Sequence, residues 1–120
     1  MDNSKELYEW LEQIKSSDKI IIVEGKNDKR ALENIGLPPQ RIITLTKPLY
    51  AVAEDIATTH KQAIILTDLD PEGKRIYMDL KRNLTRVGVQ IDTKFREALF
   101  RLSKLSHIEG IDTFFRNLER

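Results

Sequence analysis

The sequence predicts an α/β fold of three layers, a mostly parallel central sheet of about four strands with helices on both faces. Three observations carry that prediction. Ile20-Ile21-Ile22-Val23 and Ala63-Ile64-Ile65-Leu66 are continuous apolar runs rather than alternating ones, as expected of strands buried on both faces. Each gives way within a few residues to an amphipathic helical pattern, and this strand–helix order recurs along the chain. Both runs also end in carboxylates, Glu24 after the first and Asp68 and Asp70 after the second. An open α/β sheet places its chemistry at these carboxyl ends.

Taken in order, Leu7, Trp10, Leu11 and Ile14 recur at helical spacing between Ser4 and Ser16. Ser4 is expected to cap that helix, and Trp10, in its apolar stripe, to anchor it on the sheet. Strand 20–23 follows and ends in Glu24-Gly25-Lys26-Asn27-Asp28. Gly25 is expected to permit a tight turn, with Asn27 or Asp28 capping the helix that carries Ala31, Leu32 and Ile35. Gly36-Leu37-Pro38-Pro39 stops that helix. Residues 41–45 form a short strand, and Pro48 opens a helix running to about Thr59, with His60 at its end.

The strand 63–67 enters Thr67-Asp68-Leu69-Asp70-Pro71-Glu72-Gly73, and a helix runs from Pro71 to about Val87. Its expected buried stripe is Ile76, Leu80, Leu84 and Val87, with Arg75, Asp79, Arg82 and Arg86 lining another face. Residues 88–91 suit a short edge strand. Asp92 then caps a helix containing Phe95, Leu99 and Leu102, and Ile111, Phe114, Phe115 and Leu118 form a last amphipathic turn. The C-terminal region from about 93 is expected as a small helical appendage on a core of about 18–92, the whole forming one domain. His107 reads as an isolated surface or loop histidine.

Composition narrows the function. The 120 residues are 40% apolar and 32% charged, with a net charge of +1, so charge alone names no partner. Absence of cysteine removes disulfides, thiolate metal sites and cysteine nucleophiles. No apolar run approaches the ~20 residues that cross a bilayer, and no basic-then-apolar leader opens the chain, so a cytoplasmic protein without membrane contact is expected. No serine or histidine has a credible triad around it.

Asp68 and Asp70 have the period-two spacing that puts both side chains on one side of an extended segment. Asp and Pro are also common in turns, so the heptapeptide reads as an acidic turn as well as a metal site. Glu24 weighs on that choice. If strands 20–23 and 63–67 are adjacent and parallel, Glu24, Asp68 and Asp70 converge, and their mutual repulsion calls for a cation, protons or basic neighbours, of which a cation is the simplest compensation. Oxygen donors suit Mg2+, with Mn2+ as the alternate ion, and the lack of clustered histidines disfavours zinc. Phosphoryl transfer or phosphodiester hydrolysis fits such a centre. Between Pro71 and Lys104 nine Lys/Arg face four acids, a local balance of +5 that suits either a nucleic-acid backbone or an ordinary solvated surface. Lys26 and Lys47, at strand ends, suit phosphate contacts.

These motifs resemble the topoisomerase–primase, or Toprim, family over roughly residues 18–92. Ile20-Ile21-Ile22-Val23-Glu24-Gly25-Lys26-Asn27-Asp28 matches its first motif. Ile64-Ile65-Leu66-Thr67-Asp68-Leu69-Asp70-Pro71-Glu72-Gly73, continued by Lys74-Arg75-Ile76, matches its Asp-x-Asp motif. The resemblance implies a Rossmann-type three-layer fold and Mg2+ binding by Glu24, Asp68 and Asp70, with Glu24 also the acid/base residue. Gly25, Asp28 and Gly73 would support the geometry, Gly73 by admitting a ligand, while Lys26 or Lys74 meets phosphate. The match is most like the small stand-alone archaeal and bacterial Toprim proteins, and more distantly the ribonuclease that matures 5S ribosomal RNA. No topoisomerase gate or cysteine zinc module is visible. The expected activity is therefore a Mg2+-dependent nuclease or phosphotransferase on RNA or DNA, aided by a dimer mate or protein partner. The alternatives are a noncatalytic nucleic-acid-binding or assembly subunit and a small-molecule phosphoesterase.

Overall fold

A computed structural model describes residues 2–119. Helix α1 (Ser4–Ser16) precedes strand β1 (Ile20–Val23), followed by α2 (Lys26–Asn34), β2 (Ile42–Thr44), α3 (Leu49–Ala57) and β3 (Gln62–Ile65). Helix α4 (Pro71–Arg86), strand β4 (Gln90–Ile91), α5 (Lys94–Ser103) and α6 (Ile111–Leu118) complete the chain. Short 3-10 turns stand before β2, at Pro39–Arg41, and before α6, at Ile108–Gly110.

The four strands form one parallel sheet in the order β2-β1-β3-β4. Alternation of side chains divides the core into two layers. Ile21 and Val23 of β1, with Ile64 and Leu66, pack under α1, α2, α5 and α6, joined by Leu7, Trp10, Leu32, Phe100 and Phe115. Ile20 and Ile22, with Ala63 and Ile65, pack on Val52, Ala53 and Ile56 of α3 and Leu80 and Leu84 of α4. Every residue of β1 is therefore buried, which is why its sequence is an unbroken apolar run.

Three expectations change in detail. Ser4 does not cap α1; Asp2 accepts the Ser4 amide instead, and Asn3 reaches across to the Leu102 carbonyl. The stripe of α4 rests on Leu80 and Leu84, while Val87 is exposed. The C-terminal region, expected as an appendage, supplies Leu99, Phe100, Ile108, Ile111 and Phe115 to the larger core layer. Trp10 anchors that layer as expected, its indole N–H donating to the Phe95 carbonyl and its ring lying against Phe95 and Phe115. Among the described residues no helix is long and apolar enough to cross a membrane.

Candidate metal centre

From β1 the chain runs outward to β2, then crosses back over β1 to β3, so the topological switch lies between β1 and β3. Glu24 and Thr67–Asp70 leave the sheet side by side at that point. Glu24 Oε2 accepts the Asp68 amide at 2.7 Å, joining residues 44 positions apart. Burial raises the Glu24 pKa, and the charges of Asp68, Asp70 and Glu72 push the same way against the lowering effect of the Asp68 amide.

The two turns are built differently. After β1, Gly25 is extended (φ −147°), with open space where a Cβ would stand, so no tight turn demands glycine there. Its amide donates to Asp28 Oδ2 at 3.0 Å. Asp28 is thus neither a surface residue nor the N-cap; it sits in the first turn of α2 and reaches back to the turn before it. Burial pushes its pKa up to about 6, with Asp68, Glu24 and Glu109 adding to the rise.

After β3, Asp70 caps α4, its Oδ1 accepting the Gly73 amide at 2.7 Å. Thr67, fully buried, donates its hydroxyl to the Gly73 carbonyl at 2.8 Å. A Cβ on Gly73 would stand 2.1 Å from the Asp68 carbonyl oxygen. The absent side chain therefore admits the protein's own backbone rather than a ligand.

Two residues that the sequence does not single out complete the centre. Arg96, on α5, donates through Nε to the Thr67 carbonyl at 2.9 Å and through Nη2 to the Asp68 carbonyl at 2.6 Å. Its guanidinium lies 4.6 Å from the Tyr77 ring centre and 5.4 Å from that of Phe100. Burial lowers its pKa, countered by Tyr77, Glu24 and Asp68. In the sequence it is one of nine basic residues between Pro71 and Lys104, and only its spacing to Phe100, one helical turn away, hints at a buried role. His107, expected to be isolated, is not: Nε2 stands 3.3 Å from Asp70 Oδ2. Folding back of the segment after α5 brings it there, with Ser106 accepting the Leu69 amide and Asp68 Oδ1 accepting the Ile108 amide, each at 2.8 Å.

Asp68, Asp70 and His107 each offer a ligand atom within 4.8 Å of the others. Glu24 lies outside that group, beside it and bonded to the Asp68 amide. Two carboxylates and an imidazole, with Glu24 beside them, form a donor set that fits a divalent cation.

The basic residues divide. Lys26 and Lys74 are exposed in the first turns of α2 and α4, the helices that follow the two acidic turns. Lys47 pairs instead with Asp55. Arg75 pairs with Glu72 at 2.6 Å and Asp79 at 3.3 Å, and Arg82 meets Asp79 at 3.2 Å. Acids one turn away thus offset much of the expected basic face of α4, where Arg86 is exposed in the last turn.

Against known families, the model of the Toprim domain matches residues 19–98. The chain belongs to the Toprim family. A UPF0292 protein of Methanocaldococcus jannaschii is 32% identical over 114 residues, covering 92% of this chain and 88% of the relative. A UPF0292 protein of Pyrococcus furiosus is 34% identical over 118 residues, covering 95% and 85%. A solved structure of a protein from Aquifex aeolicus matches with a TM-score of 0.79 at 33% identity, covering 88% of this chain and 97% of that one. Toprim membership associates the chain with metal-dependent work on nucleic acid, and its acidic cluster has donors suited to a metal.

Proposed function

We propose that this Toprim protein is a Mg2+-dependent nuclease or phosphotransferase acting on RNA or DNA. One observation carries the reading: the Glu24–Asp68 hydrogen bond brings both acidic motifs together at the switch point of a Toprim sheet. Glu24, Asp68 and Asp70 would hold Mg2+, or Mn2+ in its place. When bound, such an ion orients a phosphate and stabilises the charge that develops on its oxygens.

The remaining chemistry falls to the chain. Glu24 is the acid/base residue, since burial and neighbouring charge make it readier to accept a proton than an ordinary glutamate. Asp28 and Gly25 hold the turn that presents it, and Gly73 lets α4 close on the Asp68 backbone. Lys26 and Lys74 neutralise the phosphate nearest the acids. Lys47, Arg75, Arg82 and Arg86 follow the backbone further out, Arg75 and Arg82 exchanging carboxylate partners for phosphate. We place the protein in the cytoplasm as a single domain that works with a second copy or a protein partner.

The test is turnover on structured RNA, single- and double-stranded DNA and small phosphoesters, with and without Mg2+, for the wild type, Glu24→Gln and Asp68→Asn. Loss of Mg2+-dependent cleavage in both variants is the expected result. Nucleic-acid binding that survives both substitutions, with no turnover on any substrate, would replace this reading with a noncatalytic assembly role.

A further inference from the structure

We propose that His107 is a nitrogen donor of the metal centre and raises its affinity for Mn2+ and similar transition ions more than for Mg2+. The inference rests on the metal reading above and concerns a residue beyond the matched segment, which ends at 98. One backbone turn and two hydrogen bonds deliver the imidazole. Lys104 turns the chain after α5 through a left-handed conformation (φ 63°), the Ser106 carbonyl takes the Leu69 amide, and Ile108, fully buried, donates its amide to Asp68 Oδ1. His107 is thereby flanked by two residues fixed to the Asp68–Asp70 turn. Its ligand atom falls within 4.8 Å of those of both aspartates, and its side chain, 55% exposed, keeps access to solvent.

An ion pair with Asp70 is the simpler role, and the geometry argues against it as sufficient. The segment is already held by backbone hydrogen bonds and by Ile108, and an exposed pair at 3.3 Å contributes little to holding it. Convergence with two carboxylates is what a coordinating imidazole requires. Nitrogen donors favour the later first-row ions, whereas carboxylates serve Mg2+ and Mn2+ alike, so an added imidazole changes selectivity as well as affinity.

The experiment is calorimetric titration of the metal-free full chain with Mn2+ and with Mg2+, for the wild type, His107→Ala, His107→Gln and Asp68→Asn. Pulsed electron paramagnetic resonance of bound Mn2+ reads nitrogen coupling directly. The expected result is a roughly tenfold or larger loss of Mn2+ affinity in both His107 variants, a smaller loss for Mg2+, and disappearance of the nitrogen signal. The metal-free melting temperature should stay unchanged. Mn2+ affinity and nitrogen coupling that persist in His107→Ala, while Asp68→Asn loses both ions, would overturn the His107 assignment alone. Equal losses for Mn2+ and Mg2+ would overturn the selectivity. A wild type that binds neither ion removes the metal centre itself.

Discussion

The turn after β1 and the turn after β3 meet at one centre, yet they are held by opposite means. Glu24–Asp28 has room: its glycine is extended and uncrowded, and a hydrogen bond from Gly25 to Asp28 ties it to its helix. Thr67–Gly73 has none. Its glycine lies against the Asp68 backbone, its threonine and Asp70 bond Gly73 from both sides, and Arg96 and Ser106 grip it from the C-terminal segment. The two aspartates therefore sit on a turn gripped from several sides, whereas Glu24, proposed both to hold the metal and to move a proton, stands on the less constrained turn.

Gly73→Ala tests the crowded side most severely. The new Cβ would meet carbonyl and Cα atoms of Asp68, backbone that cannot swing aside as a side chain can. Relieving the overlap shifts α4 away from the Asp68 turn at a cost of about 3 kcal/mol or more. For a domain of this size the melting temperature should fall on the order of 10 °C, read by circular dichroism. A drop of only a degree or two would break the comparison, because the Asp turn would then be as yielding as the Glu turn.

Arg96→Ala comes next. It removes two charge-assisted hydrogen bonds and the stacking on Tyr77, a loss of about 2–3 kcal/mol in denaturant unfolding. Arg96→Lys should recover only a minor part, since an ammonium cannot span the Thr67 and Asp68 carbonyls as a planar fork does. Full recovery by lysine would mean that charge beside the acids matters and the fork does not.

The pH dependence sharpens the other side. Asp28 has a folded-state pKa raised to about 6 against an ordinary 3.8, so the folded protein holds its proton where the unfolded chain has released it. Stability contributed by this group is therefore full below about pH 4 and lost as pH rises to about 6. Glu24 is raised by burial in the same direction. Asp28→Asn keeps an acceptor for the Gly25 amide and abolishes the ionisation. Its unfolding free energy should lose part of the wild-type decline between pH 4 and pH 6, measured by urea titration. An unaltered slope would assign the whole decline to other carboxylates.

What was legible in the sequence follows this same division. Strands β1 and β3 are visible because residues buried on both faces must all be apolar, and the acids at their ends stand out against those runs. The parallel neighbours that unite Glu24 with Asp68 follow from the strand–helix order. Arg96 and His107 are not legible in the same way. They act on partners 28 to 37 residues away through contacts made after α5 and the following segment fold onto the sheet. Helical periodicity marks the apolar side of α5, but not which turn lies above it. The two glycines mislead for a related reason: their identities are local, whereas the space around each is set by another element. On α4, charge counting misses that Glu72 and Asp79 stand one turn from Arg75 and Arg82.

Gly25→Ala gives the smallest effect, and its sign makes it the most discriminating test. The native φ of −147° is open to any L-residue, and nothing lies within 4 Å of the Cβ that alanine would add. Restricting the unfolded chain without straining the folded one should raise stability by about 0.4–1 kcal/mol. The Gly25 amide remains to donate to Asp28, so the turn itself is preserved. Substrate affinity provides the contrast. If a nucleic-acid phosphate passes close over the Gly25 backbone, alanine there weakens binding although it stabilises the protein, whereas an unobstructed phosphate path leaves affinity unchanged. A stabilised protein with weakened binding would show that the space beside Glu24 is kept for substrate, just as the space at Gly73 is taken by the Asp68 backbone.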